Sequence, residues 1–360
     1  MKKTLNKSTR SNFITYAMVI VLYVALQMMV NQGMISNSLQ GQLVPICVYI
    51  VMAVSLNLTV GILGELSLGH AGFMSVGAFT GVIVTMSLQS AITSGPLRLL
   101  IAVIIAGVFA AIAGILIGIP VLRLRGDYLA IVTLAFGEII KNILNNLYVG
   151  VDANGLHLSM TSVADMQMHA GTVIINGPMG AVGIMKLSTF FAGFLLIIFT
   201  LIVVLNLIHS RTGRAVMAIR DNRIAAESVG INVTKYKLMA FVVSAALAGM
   251  AGALYAMNYS TIVPKKFDFN TSILVLVFVV LGGMGNIRGS IIAAAVLTVL
   301  PELLRSFNDY RMLIYAIVLI LVMLATNNPT LKRFIEGILG KFKRSGKTET
   351  AAAEGGSPND

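Results

Sequence analysis

Long apolar runs follow one another along the chain, and each is separated from the next by a shorter polar or glycine-rich stretch. A helix needs about 20 mostly apolar residues to cross a bilayer, so these runs predict an all-α integral membrane protein with about ten transmembrane helices. The predicted spans are 13–30, 42–63, 66–88, 97–119, 128–147, 189–209, 237–258, 271–284, 289–304 and 311–326. The eighth and ninth runs are short and joined by glycine-rich sequence, so a range of eight to ten helices stays open.

Composition supports a membrane protein over a soluble domain. Hydrophobic residues make up 57% of the 360 residues and charged residues 11%, whereas a soluble domain is about 45–50% apolar and about 25% charged. The net charge of +12 does not indicate nucleic-acid binding, because Lys and Arg lie in short segments between apolar runs and are not interleaved with aromatic residues. Cys47 is the only cysteine, so neither an intrachain disulfide nor a cysteine metal cluster is expected.

The positions of the basic residues predict the orientation. Cytoplasmic connections carry an excess of Lys and Arg, and a cytoplasmic N-terminus also puts the basic segments 121–127 and 210–236 and the basic tail inside. The long outer segment, about 148–188, then holds a single basic residue, although Lys265 and Lys266 run against the trend and fall outside. This distribution fits ten spans in the plasma membrane with both termini in the cytoplasm.

The predicted division is a cytoplasmic N-terminus at 1–12, a transmembrane domain at 13–326 and a cytoplasmic tail at 327–360. The tail has the composition of a disordered segment. The outer segment is glycine-rich, weakly charged and long enough to hold short strands or a helix. It either caps the outer mouth or docks an external partner, since long connections are often functional.

Two glycine-interrupted apolar stretches resemble each other, VGILGELSLGHAGFMSVGAF at 60–79 and VVLGGMGNIRGSIIAAAV at 279–296. A second pair, 105–118 and 244–256, shares small residues at spacings that let helix backbones approach closely. Together they form a weak two-half pseudo-repeat. Glycine-broken segments in the two halves of a transporter indicate a substrate path, although glycines that only pack helices give the same pattern. The glycines that carry the path prediction are Gly282, Gly283 and Gly285.

Two sequences resemble nucleotide-binding loops, and both have the wrong spacing. GKFKRSGKT at 340–348 has one residue too many for a phosphate loop, and the glycines at 283–289 are one residue off a dinucleotide fingerprint. The four histidines are scattered without the spacing of metal ligands. We therefore expect no enzyme activity and no cofactor or metal bound by this chain, so that any ATP and Mg²⁺ would be bound by partner subunits.

Several ionisable residues fall within or beside predicted spans, where charge is costly and often functional. Glu138 lies near the middle of its span with Lys141 one helical turn later, so the two can pair. The pair is either structural or lines a path or gate. Glu65 and His70 lie between the second and third spans, where they are either buried against the glycine turn or form an inner gate. Asn57 can hydrogen-bond a zwitterionic solute or simply join helices.

The segment SRTGRAVMAIRDNRIAAESVGINVTKY, Ser210–Tyr236, is a charged, alanine-rich interruption between two apolar spans. Asp221 or Asn222 suits a helix N-cap, and Gly230 suits a helix end, which predicts a short helix over about 223–229. One reading is a solvated loop whose arginines only set the topology. The other is a docking element for a partner, with Ala225 and Val229 on one small apolar face.

Four motifs are similar to those of the LivM-type permeases of branched-chain amino acid ABC importers. They are LRLRGDYLAIVTLAFGEI, GELSLGHAGFMSVGA, RTGRAVMAIRDNRIAAESVGIN and LGGMGNIRGSIIAA. The resemblance covers most of the chain and implies that 13–326 is a permease domain with the ABC importer architecture. It also implies that 210–236 is a cytoplasmic coupling loop whose short helix docks on an ATPase. The implied coupling residues are Arg214, Arg220, Asp221, Asn222, Ala225, Ala226, Val229 and Gly230.

The same resemblance implies a set of partners and a mechanism. The partners are a second, related permease in a heterodimer, two ABC ATPase subunits that bind ATP and Mg²⁺, an external solute-binding protein and the lipid bilayer. The mechanism is alternating access, with leucine, isoleucine or valine as the solute, and urea or another small amide as the alternative solute. Two readings of other classes stay open: an ion-coupled secondary transporter that uses Glu138 or Glu65, and a membrane scaffold without transport activity.

Overall fold

Each of the ten predicted spans lies on a helix in the computed structural model, which describes residues 7–34, 36–124, 127–152, 155–166, 168, 171–305 and 310–327. The helices are α1 (Lys7–Asn31), α2 (Asn37–Asn57), α3 (His70–Ser87), α4 (Gly95–Val121), α5 (Asp127–Asn145), α6 (Phe190–His209), α7 (Arg211–Asp221), α8 (Arg223–Ser228), α9 (Val233–Ala256), α10 (Phe269–Gly282), α11 (Ile287–Leu303) and α12 (Arg311–Asn327). Seven helices among the described residues are long and apolar enough to cross a membrane. α10, α11 and α12 are shorter, with 14, 17 and 17 residues, so the predicted range of eight to ten is compatible with the structure.

The chain divides into two compact units, Met1–Glu302 and Leu303–Asp360, and α12 belongs to the second. α1 begins at Lys7, inside the predicted N-terminal segment, while its apolar part, Asn12–Asn31, matches the predicted first span. Residues 1–6 and 328–360, which include nearly all of the predicted tail, lie outside the described residues.

The core of the first unit is formed where α9 packs against α3 and α4. Small residues allow their backbones to touch. A Cβ on Gly77 of α3 would lie 2.0 Å from the carbonyl oxygen of Gly249 on α9, and one on Gly252 would lie 1.9 Å from the carbonyl oxygen of Met74. On the α4 side, a Cβ on Gly249 would lie 2.2 Å from the Cβ of Ala110. Helix faces that approach this closely form the rigid centre of the bundle.

α2 is almost entirely buried, whereas the outward face of α4 exposes large apolar side chains such as Leu100, Ile104 and Leu116. The contrast follows from position, since α2 contacts α6, α9 and α10 while α4 lies at the edge of the bundle. An apolar exposed face on a helix of this length fits a lipid or helix neighbour.

The predicted outer segment, about 148–188, forms most of a small antiparallel sheet. It therefore contains the short strands that its length allowed. The strands are β1 (Tyr148–Asp152), β2 (Gly155–Ser159), β3 (Thr172–Asn176), β4 (Ala181–Val182) and β5 (Thr261–Ile262). Their order is β2-β1-β3-β4-β5. β5 comes from the connection after α9 and pairs with β4, Ala181 opposite Ile262. Main-chain hydrogen bonds therefore attach the outer segment to the helical bundle.

The paired stretches of the pseudo-repeat pack against each other. In the 105–118 and 244–256 pair, a Cβ on Gly114 of α4 would lie 2.9 Å from the Cβ of Ala245 on α9. In the 60–79 and 279–296 pair, a Cβ on Gly61 would lie 2.2 Å from the backbone nitrogen of Gly285. The glycines therefore allow close helix packing, one of the two roles predicted for them, and a substrate path along Gly282, Gly283 and Gly285 stays a prediction.

Gly77→Ala is expected to destabilise the bundle, because the added methyl would overlap a backbone carbonyl that cannot rotate aside. Overpacking of this kind costs about 1–3 kcal/mol. Gly41→Ala is the matched control, since Gly41 lies in α2 with nothing within 4 Å of an added Cβ and alanine favours helix over glycine by about 0.5–1 kcal/mol. Thermal denaturation in one detergent should give a lower melting temperature for Gly77→Ala and an equal or higher one for Gly41→Ala. Equal melting temperatures for wild type and Gly77→Ala would contradict the packing role.

Candidate functional site

The segment between α6 and α9 forms two helices, of which the sequence predicted only the second. α7 begins after Ser210, whose Oγ accepts a hydrogen bond from the Gly213 N–H at 3.1 Å. A cap of this kind stabilises a helix start. Gly213, Val216 and Ile219 are buried along its inner face. Their three-residue spacing is typical of a helix. The arginines between them gave the segment the composition of a polar loop, so this helix was not predicted.

α8 has the ends that its capping residues predicted. Asn222 rather than Asp221 is the N-cap, and its Oδ1 accepts a backbone N–H of the first turn at 3.1 Å. Gly230 has a φ of +83°, a left-handed conformation that ends helices and favours glycine. The predicted short helix is therefore confirmed, and it spans Arg223–Ser228.

The outward face of α8 differs from the predicted one at Ala226. This residue is 3% exposed and packs in a small core between α7 and α9, so its side chain faces its own chain and its contact with a partner stays a prediction. Ile224 and Val229 are instead 80% and 75% exposed, with Ala225 exposed beside them. Contiguous exposed apolar side chains mark interaction sites. We refer to Ile224, Ala225 and Val229 as the α8 surface.

Two arginines of this loop bind groups close to them in sequence. Arg214 donates from Nη1 to the carbonyl oxygen of His209 at 3.2 Å. Arg223 donates from Nε to Glu227 at 2.9 Å, one turn along α8. The Arg223 bond lies within α8, and the Arg214 bond joins α7 to the last residue of the preceding helix α6.

Arg220 reaches the end of the buried helix α2. α2 continues into a π turn, Leu58–Leu63, which ends at Gly64 with a φ of +79°. π turns are rare and occur mostly at functional sites. Arg220 donates from Nη1 to the carbonyl oxygen of Gly61 at 3.1 Å, and its Nε and Nη2 donate to Asp221. The two partners of the Nη1 bond are 159 residues apart, so no local sequence pattern revealed it.

Glu65 follows the π turn and pairs with Lys237 near the start of α9, and both side chains are largely buried. Lys237 was not identified from the sequence, because this residue is the first of the predicted apolar span 237–258. His70 is also buried, and its Nε2 is 2.8 Å from the Oγ of Ser55 on α2. Glu65 and His70 thus have separate partners, and their burial fits the first of the two roles predicted for them.

The turn between α10 and α11 packs on the π turn. Gly283 and Gly285 have φ values of +89° and +81°, which glycine adopts without strain. Asn57 joins the two turns, because its Oδ1 accepts the Gly285 N–H at 2.8 Å and its Nδ2 donates to the Oγ of Ser290 at 3.1 Å. A Cβ on Gly61 would lie 2.2 Å from the Gly285 nitrogen. Asn57 therefore joins helices, as one of its two predicted roles requires.

Glu138 and Lys141 form the predicted ion pair on α5, with side chains 37% and 19% exposed. The positive charge of Lys141 also acts on Asp268, the N-cap of α10. Burial would raise the pKa of Asp268, but hydrogen bonds from Thr271 and Asn270 and the Lys141 charge hold that pKa below its usual value. Lys141 is therefore paired with Glu138, and its charge contributes to the low pKa of Asp268.

Comparison with known proteins gives the family. The family model described as branched-chain amino acid transport system / permease component matches residues 38–323. The high-affinity branched-chain amino acid transport system permease protein LivM of Salmonella typhimurium (strain LT2) is 36% identical over 320 residues, which cover 85% of this chain and 71% of the relative. LivM of Escherichia coli (strain K12) is 36% identical over 315 residues, with the same coverage. The permease protein LivH of Salmonella typhimurium is 33% identical over 135 residues, 37% of this chain and 41% of the relative. No solved structure matches this chain.

The family match runs from α2 into α12 and includes the π turn, the loop with α7 and α8, and the α10–α11 turn. The resemblance drawn from the four sequence motifs is confirmed. The relatives are transport permeases and not enzymes, and the apolar helices of this chain fit that class. The chain belongs to the family of permease components of branched-chain amino acid transport systems.

Proposed function

We propose that this chain is the permease subunit of an ATP-driven ABC importer that moves leucine, isoleucine or valine into the cell. The observation that carries the proposal is the 36% identity to two LivM permeases over 85% of the chain. The structure adds a capped helix, α8, with an exposed apolar face. A permease that takes its energy from ATP bound elsewhere needs such a contact with another subunit.

The partners follow from the surfaces of the chain. The α8 surface docks on one of two ABC ATPases, which bind the ATP and Mg²⁺. A second, related permease completes a heterodimer, as the partial likeness to LivH suggests. The sheet faces an external solute-binding protein, and its exposed Leu156, Leu158 and Val182 provide apolar contact area. No cofactor is bound by this chain.

The proposed orientation places the loop with α7 and α8 in the cytoplasm and the sheet outside, in the plasma membrane. It follows from the excess of basic residues in the loop. With the ten spans predicted from the sequence, both termini are proposed to lie in the cytoplasm.

Transport is proposed to proceed by alternating access, without covalent chemistry in this chain. ATP binding closes the two ATPases and shifts the loops docked on them. The helices α3, α4 and α9 are in direct backbone contact and are proposed to move as one body. Their shift changes which face of the membrane the shared cavity opens to. Glu138 and Lys141 are proposed to border this cavity, because intramembrane charges seldom face lipid.

An ion-coupled mechanism is less well supported than the ABC mechanism. A proton or cation site at Glu138 would need a carboxylate free to change charge, whereas Glu138 is paired with Lys141. Liposomes that contain this chain, its sister permease and the ATPases should take up labelled leucine only with ATP and the external binding protein. Uptake driven by a proton gradient after ATP depletion would refute the ABC mechanism, and uptake of urea without leucine would move the assignment to small amides.

Ile224→Glu and Val229→Glu are expected to weaken binding of the ATPase while leaving the chain folded, because a carboxylate replaces an exposed apolar contact. Loss of interface anchors of this kind typically costs about 2 kcal/mol or more, equivalent to about thirtyfold in affinity. Ala226→Glu is the contrasting variant, since Ala226 is buried and a charge there should lower the yield of folded protein.

Co-purification of the ATPase in detergent, measured beside the monodisperse yield, checks both expectations. Normal ATPase recovery with Ile224→Glu and Val229→Glu would show that the α8 surface is not the docking element. A folded Ala226→Glu that fails to bind the ATPase would instead restore Ala226 to that surface.

Glu138→Ala is expected to reduce uptake, because it leaves Lys141 without its nearest carboxylate at the edge of the proposed cavity. Glu138→Gln, which keeps the shape and one acceptor, should retain more activity. Uptake of labelled leucine and the melting temperature are measured together for both variants. Normal uptake with a lowered melting temperature would assign the pair a structural role only.

A further inference from the structure

A residue of the Ser210–Tyr236 loop donates a hydrogen bond to the end of the helix formed by α2 and its π turn. The last carbonyl groups of a helix lack partners within the helix, and the helix formed by α2 and its π turn stops at Gly64. Within the π turn, the Thr59 carbonyl accepts the N–H groups of Gly64 and Glu65. The Gly61 carbonyl accepts its hydrogen bond from Arg220 of the loop, at 3.1 Å. A cation at a helix C-terminus is also favoured by the helix dipole.

The fit between Arg220 and the π turn is close. A Cβ on Gly64 would lie 2.6 Å from the Cγ of Arg220, so the aliphatic part of the arginine occupies the space that glycine leaves open. On the following residue, Glu65 is held by Lys237 of α9. The end of the most buried helix is therefore held by cations from α7 and from α9, the two helices that flank α8.

The contact continues beyond the π turn. Gly61 packs on Gly285, and Asn57 hydrogen-bonds both Gly285 and Ser290. The loop therefore contacts the end of α2, and the end of α2 contacts the turn between α10 and α11. A displaced α7 would shift two membrane helices through bonds that the structure already contains.

We propose that Arg220 is the positioning residue through which movement of the docked loop reaches α2. The proposal rests on the proposed function, and it separates two tasks within one loop. The α8 surface binds the ATPase, whereas Arg220, whose side chain is 39% exposed, bonds to the π turn through Nη1 and transmits the displacement to it. Loss of Arg220 should therefore disconnect ATP hydrolysis from uptake without releasing the ATPase.

The experiment compares Arg220→Gln with Arg211→Gln in the assembled importer. Arg211 is the matched control because it is an exposed arginine of the same helix, α7, and is not one of the implied coupling residues. Arg220→Gln should co-purify with the ATPase as wild type does and hydrolyse ATP, while leucine uptake per ATP falls by about tenfold, within the range of coupling between sites. Arg211→Gln should keep both values near wild type.

Three outcomes would overturn the proposal. Loss of ATPase co-purification in Arg220→Gln would make Arg220 part of the docking contact. Wild-type uptake per ATP in Arg220→Gln would show that the Gly61 bond transmits nothing, and an equal loss in Arg211→Gln would show a general effect of loop charge. If the wild-type assembly itself shows no ATP-dependent uptake, the proposed function fails first, so the two failures are distinguishable.

Discussion

The bundle depends on direct backbone contact among α3, α9 and α4. Inside a lipid bilayer, helices gain little from hiding apolar surface from one another, so close packing of small residues provides most of the association. Gly249 has a central place in this packing, because its carbonyl oxygen lies against Gly77 and its α-carbon lies against Ala110. Backbone atoms have no rotamers with which to relieve overlap. The three helices therefore form a frame whose geometry is fixed, and the π turn and the loop are positioned relative to it.

The sequence allowed prediction of features that depend on neighbouring residues. Membrane thickness sets the length of each apolar run, so all ten runs were found as helices, and the caps at Asn222 and Gly230 gave the ends of α8. Features that depend on distant residues were missed. Arg220 and Gly61 are 159 residues apart and Lys237 and Glu65 are 172 apart, so their contacts exist only after folding. The burial of Ala226 has the same origin, because a short helix with small residues on several sides does not show which side faces its own chain.

The basic residues of the loop have more than one role. A count of charges predicts a cytoplasmic loop, but it treats all of the arginines as equal. The structure separates them by partner, since Arg223 bonds within α8, Arg214 bonds to the end of α6 and Arg220 joins the loop to α2. Arg is suited to the last contact because its guanidinium presents several donors in a fixed plane, so one group can hold the Gly61 carbonyl and Asp221 together. The same few residues thus carry the charge that predicts topology and the contacts that fix the loop on the bundle.

The pairing of β4 with β5 has a consequence for how this surface can diverge among relatives. The sheet is fastened to the bundle by main-chain hydrogen bonds, with Ala181 opposite Ile262 and Val182 opposite Thr261. Such bonds need little from the side chains, apart from the absence of proline at donating positions. The exposed positions of the strands are therefore free to change while the sheet stays in place. A single helical scaffold can in this way carry a sheet with a changed surface without any adjustment of its helices.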